Sequence, residues 1–484
     1  MPRPGWKGLH MGHGLADLTA VELADHYNRR DCSPVEVVEA VLQRVVETND
    51  RVRAVVALAA DRALQAARQQ EATLLAGEER PPLFGVPVTV KDLTPTEGIV
   101  TTRGNRRFAT FVPTADAAAV QRLRSAGAIV VAKTNTSEGG WKADTDNSLF
   151  GPTFNPWDVS RSPGGSSGGA GAAVALGMGP IGLGTDGAGS IRIPASFCGV
   201  VGLKPSFGRV PYVPPSAELL SHIGPLSRTV DDAILALGVM AGADERDVFS
   251  WEGPPGTLVE EIARQAGPRR IAMVTTVGDV QPAPEILHAL NSVAGTLSDL
   301  GHHVEESGPL PDPYASIEII LAAAEAAADG HHLETYRSEF DPGRVAVIER
   351  GMGLSASALA TAEEDRFAYG TRLGQQLEGV DLLLTPSVAI LPFAAGAGGP
   401  PGAQSVVERL AWAAFSYPFN LTGWPAISLP AGFSESGWPI GVQLVGRWRS
   451  DAAVLAVARQ LESARPWRHT YKGLVEQATG GQTP

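Results

Sequence analysis

Cysteine is scarce in this 484-residue sequence, which contains only Cys32 and Cys198. Two cysteines cannot build a disulfide framework, so a reduced, intracellular chain is the simplest interpretation. Residues 1–20 also lack the roughly 7–15-residue apolar run of a secretory signal. No apolar stretch reaches the ~18 residues of a membrane span. We therefore expect a cytoplasmic protein without a membrane partner.

Basic residues are outnumbered by acidic ones, 39 against 52, which gives a net charge of −13. A chain this acidic lacks the electrostatic footprint of a nucleic-acid-binding protein, so we expect no direct nucleic-acid partner. Hydrophobic residues make up 44% of the sequence and charged residues 19%, as in globular proteins. Length alone allows about three domains or one large domain.

Helix and strand patterns alternate along most of the chain. Ser33 and Glu36 have the spacing of a capping box, with Pro34 between them, and this predicts a helix start. From about residue 84, short apolar runs of strand type alternate with helical periodicity, which is typical of an α/β fold with a buried sheet. Later strands are predicted at 180–184, 200–203, 271–275, 380–385, 426–430 and 440–445, and helices at 230–240, 284–300, 316–328, 357–377 and 451–463.

The segment 160–205 is unusually rich in glycine and serine. A flexible linker is one interpretation of GGSSGG at 164–169, but an Ala/Val/Leu helix pattern follows at once, whereas linkers separate domains. Residues 182–187 match G-x-G-x-x-G, the dinucleotide-binding fingerprint. However, Pro194 interrupts the helix that should follow, and no acidic residue stands at the required distance. We reject both interpretations.

A third interpretation is catalysis by Ser190. Residues 187–189 place unobstructed backbone N–H groups beside this hydroxyl, which is what an oxyanion hole needs. None of the ten histidines lies within the segment to serve as its base. Lys91 ends an apolar strand, where burial would lower the pKa of its amine and let it accept a proton. Lys133 also ends a strand and is the rival candidate.

These residues stand in motifs that closely resemble the amidase signature family of serine hydrolases. The matching runs are 85–92 (GVPVTVKD), 133–135, 150–157, 164–205, 223–225 and 419–426. The resemblance implies a single compact α/β domain over 1–484, with a mixed, mostly parallel central sheet covered by helices on both faces. Within it we expect a helical N-terminal arm (1–80), a catalytic signature core (84–210) and a remainder carrying the substrate-pocket loops (211–484).

The resemblance also implies a Ser–Ser–Lys triad. By motif position, Ser190 would be the nucleophile, Lys91 the base and Ser166, following a cis peptide bond, the bridge between them. No cofactor and no metal are implied. The implied oxyanion hole consists of the backbone N–H groups of Gly187, Ala188, Gly189 and Ser190.

One departure concerns Ala188, since many relatives have glycine there. If this position needs a positive φ, alanine would be strained. Asp186 and Arg192 flank the nucleophile, and we expect them to form a structural ion pair that holds the loop.

We expect the substrate to be a small-molecule amide or a carbamate, because both present the same electrophilic carbonyl to Ser190. The chain looks similar to bacterial aryl-acylamidases and urethanases, which favours aryl or alkyl amides. A packing role in the core is an equally good interpretation of the aromatic candidates. The substrate-binding candidates by family position are Gly140, Trp141, Arg209, Tyr212, Trp412 and Phe415.

An alternative function is the glutaminase subunit of a tRNA-dependent amidotransferase, which has a similar length and the same signature. Its partner subunit holds the tRNA, so the acidity of this chain does not exclude it. The sequence around Gly140 and the alanine at 188 argue against it. The oligomeric state is not determined by the sequence.

Overall fold

The N-terminal helices begin where local sequence signals predict. In this computed structural model, which describes residues 13–254, 256–403 and 410–479, helix α2 starts at Pro34. The Ser33 hydroxyl accepts from Glu36 N, and the Glu36 carboxylate accepts from Ser33 N, so the predicted capping box is confirmed. The helices of the described residues, numbered in chain order, are α1 Ala20–Arg29, α2 Pro34–Val52, α3 Ala60–Ala76, α4 Ala118–Ser125, α5 Gly168–Ala175, α6 Arg192–Cys198, α7 Val230–Met240, α8 Leu258–Ala263, α9 Pro284–Asp299, α10 Tyr314–Asp329, α11 Leu333–Tyr336, α12 Pro342–Met352, α13 Ala356–Gln376, α14 Pro418–Leu421, α15 Asp451–Ala464 and α16 Thr470–Ala478.

One mixed sheet runs through the domain. In the described part of the chain it has eleven strands, in the order β1-β3-β2-β4-β6-β5-β10-β11-β9-β7-β8. The strands are β1 Val55–Leu58, β2 Pro87–Lys91, β3 Ile129–Thr134, β4 Ile181–Asp186, β5 Val201–Lys204, β6 His222–Ser227, β7 Arg270–Met273, β8 His303–Glu306, β9 Leu382–Pro386, β10 Ala426–Phe433 and β11 Pro439–Gly446.

The expected single α/β domain with a mixed sheet is confirmed. Parallel pairing is concentrated in two blocks, β3-β2-β4 and β9-β7-β8, and the strands between these blocks pair antiparallel. One antiparallel join arises because β10 and β11 form a hairpin across a short turn. The finer division into 1–80, 84–210 and 211–484 stays a prediction.

The glycine–serine segment lies at the centre of the fold. Every residue of α5 is buried, which excludes a flexible linker there. Its small residues allow close backbone approach: a Cβ added to Gly169 would lie 2.5 Å from Asn135 N. The loops at the edge of the sheet next to α5 are therefore supported by a closely packed helix.

Among the helices of the described residues, none combines the length and the apolarity that a bilayer crossing requires.

Candidate active site

Lys91 is the last residue of β2 and is fully buried between β3 and β4. Its Nζ donates hydrogen bonds to Ser166 Oγ (2.7 Å) and Thr185 Oγ1 (2.8 Å). Burial lowers the pKa of Lys91 to about 7, against the opposing charge of Asp186, which raises it. No carboxylate of the described residues forms an ion pair with Lys91, so near neutral pH a large fraction of the amine is uncharged.

Ser166 stands two residues before the start of α5 and is almost completely buried. The Gly165–Ser166 peptide bond is cis, as the resemblance implies. A Cβ on Gly165 would lie 2.5 Å from Asp144 N, so this approach is open only to glycine. The next residue ties the segment to the neighbouring loop, because Ser167 N donates to Ser190 O at 3.1 Å.

Ser190 is half-buried and lines the same cavity as Ser166. Among the described residues, no hydrogen bond joins the two serine hydroxyls. The positive φ of this loop falls on Gly189 (119°) and not on Ala188, so the conditional strain at the alanine does not arise. A Cβ on Gly189 would lie 2.7 Å from Ser416 Cβ, which makes glycine necessary there.

Asp186 holds the loop that carries Ser190. Its carboxylate accepts hydrogen bonds from Gly189 N (2.7 Å) and Ile191 N (3.2 Å), and it pairs with Arg192 Nε at 2.9 Å. Burial alone would raise the pKa of Asp186, but the adjacent Arg192 guanidinium holds it well below its ordinary value. The expected ion pair is confirmed.

This anchoring corrects one part of the expected oxyanion hole. Since Gly189 N–H already donates to Asp186, it is engaged in holding the loop and does not point at a substrate oxygen. The N–H groups of Gly187, Ala188 and Ser190 form no hydrogen bond with any described residue. These three donors remain at the edge of the cavity beside the Ser190 hydroxyl.

The cavity has a volume of about 440 Å³. Three of the expected substrate-binding residues line it, namely Gly140, Trp141 and Tyr212. A Cβ on Gly140 would lie 3.4 Å from Ser166 Oγ, so this glycine is close to the reactive groups. Helices α10 and α12 supply an apolar wall formed by Leu321, Ala322, Ala324, Ala328, Ala346 and Val347.

The other three candidates lie elsewhere. Arg209 is a buried cation that pairs with Glu261 (3.2 Å), away from the cavity lining. Trp412 is buried and stacks on Phe197 with ring centroids 5.9 Å apart. Phe415 is fully buried in the same apolar cluster. We therefore remove Arg209, Trp412 and Phe415 from the set of proposed substrate contacts, since burial and packing explain them.

The rival lysine, Lys133, faces away from the serines. It stands opposite Val90 in the parallel register, so its side chain lies on the other face of the sheet from Lys91. Its Nζ donates to Thr96 Oγ1 (2.8 Å) and Thr101 Oγ1 (3.1 Å). Burial also lowers the pKa of Lys133 to about 7, with Asp92 opposing the shift. A lowered pKa thus does not identify the base; contact with a serine does.

Sequence reasoning missed several residues around the cavity. Thr185 accepts a hydrogen bond from the amine of Lys91. Its position directly before Asp186, on a neighbouring strand, is a sequence signal that could have identified it as a site residue. Arg344 lines the cavity and pairs with Glu138 at 3.0 Å. No sequence signal links these two, because they stand 206 positions apart. Glu218 also lines the cavity and is not among the site residues predicted from the sequence.

The site contains a buried lysine that is hydrogen-bonded to one serine, and a second serine beside N–H donors that form no hydrogen bond with any described residue. These are the components of a hydrolase acting on carbonyl compounds. The amidase family matches residues 36–455. The chain therefore belongs to the amidase signature family, whose members hydrolyse C–N bonds of amides.

Its similarity to characterised proteins covers nearly the whole chain. It is 37% identical to an acylamidase of Rhodococcus erythropolis, over 93% of this chain and 96% of that one. It is 36% identical to a glutamyl-tRNA(Gln) amidotransferase chain of Moorella thermoacetica, over 92% and 96%. Among solved structures, a bacterial aryl acylamidase of the amidase signature family superposes with a TM-score of 0.87 at 29% identity, covering 96% and 99%. A 6-aminohexanoate cyclic dimer hydrolase superposes with 0.87 at 32% identity, covering 94% and 98%.

Proposed function

We propose that this protein hydrolyses small aryl or alkyl amides through an acyl-enzyme on Ser190, with Lys91 as base and Ser166 as proton bridge. The observation that carries the proposal is the 2.7 Å hydrogen bond from Lys91 Nζ to Ser166 Oγ. It joins a buried amine with a pKa of about 7 to a hydroxyl that lines the cavity. A general base is most effective when its pKa lies near the working pH.

The proton path has two steps. Neutral Lys91 accepts a proton from Ser166 while Ser166 takes one from Ser190, whose oxygen attacks the substrate carbonyl. The second transfer requires the two hydroxyls to approach more closely than they do without substrate, which is common in catalytic sites. The proton then passes to the leaving amine, and water hydrolyses the acyl-enzyme.

The developing oxyanion would be bound by the N–H groups of Gly187, Ala188 and Ser190. They form no hydrogen bond with any described residue, and Asp186 holds their loop from behind. Preorganised donors of this kind stabilise charge that develops in the transition state, and one donor contributes on the order of 10²–10³-fold in rate.

Carbamates are the second proposed substrate class. The carbamate carbonyl presents the same electrophile to Ser190, and the apolar wall from α10 and α12 suits an aryl or alkyl group on either side of it. The acylamidase and aryl acylamidase relatives support amides as the first class. A cytoplasmic location and the absence of a nucleic-acid partner stay predictions.

The glutaminase subunit remains the second candidate function, supported by the 36% identity to the Moorella amidotransferase chain. The discriminating experiment is a panel in which the purified chain alone meets an acyl 4-nitroanilide, an aryl carbamate, an aryl ester and glutamine. We expect turnover of the anilide and the carbamate but not of glutamine. Strict glutaminase activity that requires added subunits would reverse the order of the two candidates.

Replacement of the nucleophile tests the mechanism in the same panel. Ser190→Ala should lower kcat on the anilide by on the order of 10⁴–10⁶-fold, since the attacking oxygen is removed. Rapid quenching of the unmodified enzyme should yield a Ser190 adduct whose mass corresponds to the acyl group. Ser463→Ala, an exposed helix serine, is the matched control and should keep full activity. A variant without Ser190 that still turns over at near-normal rates contradicts the proposal.

A further inference from the structure

One carboxylate in the cavity has no role in the mechanism above. Glu218 lines the cavity next to the candidate oxyanion loop. Its Oε1 would lie 3.9 Å from a Cβ built on Gly187, the first residue of that loop. A negative charge therefore stands close to the position of the substrate carbonyl.

The orientation of Glu218 is fixed by two serines. Ser216 Oγ donates to Oε2 at 2.5 Å, and Ser221 Oγ donates to Oε1. Both donors are neutral hydroxyls, so they hold the carboxylate without neutralising it. Each carboxylate oxygen can accept more than one hydrogen bond, which leaves acceptor capacity for a further donor.

Glu218 differs in this respect from the other carboxylates of the cavity wall. Glu318 pairs with Arg350 at 2.8 Å, and Glu325 pairs with Arg344 at 2.8 Å. Within the described residues Glu218 forms no ion pair. Its charge is thus available to whatever occupies the cavity.

The cavity also contains a cation without a carboxylate partner in the described residues, Arg103. This side chain is exposed, and its guanidinium lies 5.6 Å from the centre of the Phe108 ring. Solvent screens the charge of Arg103 more effectively than that of the half-buried Glu218. Of the two unpaired charges, Glu218 therefore acts more strongly on a bound substrate.

We propose that Glu218 binds an ammonium group of the substrate, so that the preferred amides or carbamates carry a cationic substituent close to the scissile carbonyl. This inference rests on the proposed function and specifies its substrate class. A charge-assisted hydrogen bond between an ammonium and a fixed carboxylate is short and strong in a partly enclosed site. The same carboxylate repels substrates that carry an anionic group there.

The test uses two matched substrate series at pH 7.5. In the first, acyl 4-nitroanilides of equal length end in a methyl, an ammonium or a carboxylate; in the second, the same three groups stand on the leaving aniline. We expect kcat/KM of the native enzyme to follow the order ammonium, methyl, carboxylate in at least one series. The series that responds identifies the side of the scissile bond that Glu218 faces.

Glu218→Gln removes the charge and keeps the shape. It should lower the ratio of kcat/KM for ammonium over methyl substrates by about ten- to hundredfold, the range for a hydrogen bond to a charged group. It should also raise kcat/KM for the carboxylate substrate relative to that for the methyl substrate. Both kcat/KM values in each ratio are measured on the same enzyme preparation, so a smaller fraction of folded enzyme lowers both equally and does not change the ratio. Glu39→Gln, the same charge change at an exposed helix position, should leave the ratios unchanged.

Two results would overturn the inference. The first is an ammonium-to-methyl ratio that is equal in the native enzyme and Glu218→Gln in both series. The second is a Glu218→Asp variant, which keeps the charge, losing the ammonium preference as completely as Glu218→Gln, since this indicates a packing role. Failure of the proposed function is distinguishable, because the native enzyme would then hydrolyse no methyl substrate.

Discussion

At the scale of single residues, the activity depends on the charge state of Lys91. Since burial lowers the pKa of its amine to about 7, the ammonium form predominates below that pH and cannot accept a proton. We expect kcat/KM to rise as the pH increases through about 7 and to level off above it. The measurement is a pH–rate profile from pH 5.5 to 9 on a neutral anilide.

Lys91→Arg is the informative variant for this profile. A guanidinium remains protonated at every accessible pH, so the variant should be inactive throughout the range and not merely shifted. If Lys91→Arg keeps the native pH–rate profile, another group is the base. The same conclusion follows if the rate of the native enzyme does not change between pH 5.5 and 9.

Lys91, Ser166 and Ser190 could be proposed as a triad because their motifs resemble those of the amidase signature family, and at Lys91 and Ser190 local sequence signals point to the same chemistry. The substrate contacts could not be predicted equally well. Trp412 looks like a ligand-stacking residue by type and position, but its ring packs on Phe197 in the core. Arg209 was expected at the substrate by its position in the family motifs. A buried cation requires a carboxylate partner, however, and Arg209 pairs with Glu261. Residue type alone does not tell which side chains reach a cavity.

At the scale of elements, the loop between β4 and α6 has a backbone shape that depends on Gly189. Gly189→Ala would place a Cβ 2.7 Å from Ser416 Cβ at a φ of 119°, so the loop must shift. We expect a loss of about 1–3 kcal/mol in the free energy of unfolding and of about 10²-fold in kcat, because the oxyanion donors move. Urea unfolding and steady-state kinetics measure the two effects.

Gly295→Ala is the matched control for this substitution. Gly295 is exposed within α9, and a Cβ there would meet no atom within 4 Å. That variant should gain about 0.4–1 kcal/mol in stability and keep its activity. If Gly189→Ala behaves in the same way, the loop shape does not depend on this glycine.

Arg344 connects three elements of the cavity wall. From α12 it pairs with Glu138, the first residue of the 3-10 turn Glu138–Gly140, and with Glu325 and Asp329 of α10, at 3.0, 2.8 and 2.7 Å. Removing one partner of a buried network leaves uncompensated charge, so Arg344→Met should cost about 3–5 kcal/mol in the free energy of unfolding at pH 7.

The cost of Arg344→Met should decrease towards pH 5. Burial raises the pKa of Glu138 and of Glu325, so both carboxylates protonate readily once the guanidinium is gone. Arg350→Met, which removes an exposed partner of Glu318, should cost less than about 1 kcal/mol at either pH. An equal cost of the Arg344 substitution at pH 7 and pH 5 would contradict this account of the network.

At the scale of the whole molecule, the sheet order explains why the site assembles where it does. Lys91 ends β2 and Thr185 belongs to the adjacent strand β4, so parallel pairing brings residues 94 positions apart into contact. The alternation of helix and strand patterns was sufficient to predict this α/β architecture. The strand order, and the contact between Arg344 and Glu138, could not be predicted, because pairing between distant segments leaves no local pattern in the sequence.

The buried lysines also make the stability of the whole domain depend on pH. Burial lowers the pKa of Lys91 and of Lys133 to about 7 and that of Lys204 well below its ordinary value. As the pH rises from 7 to 8.5 these amines become mostly neutral in the folded protein but stay protonated in the unfolded chain, whose lysines have a pKa of about 10.4. At these three lysines the unfolded state then binds more protons, so their contribution to the free energy of unfolding rises with pH in this window.

Lys133→Met separates this effect from catalysis. Each such lysine contributes a slope of up to about 1.4 kcal/mol per pH unit, so the variant should show a shallower rise by at most that amount. It should remain active, because Lys133 contacts neither serine and lies on the opposite face of the sheet. Lys472→Met, at an exposed position, should leave the slope unchanged. Urea unfolding at pH 7.0, 7.75 and 8.5 measures the slopes, and a slope equal to that of the native protein would show that Lys133 is charged in the folded state.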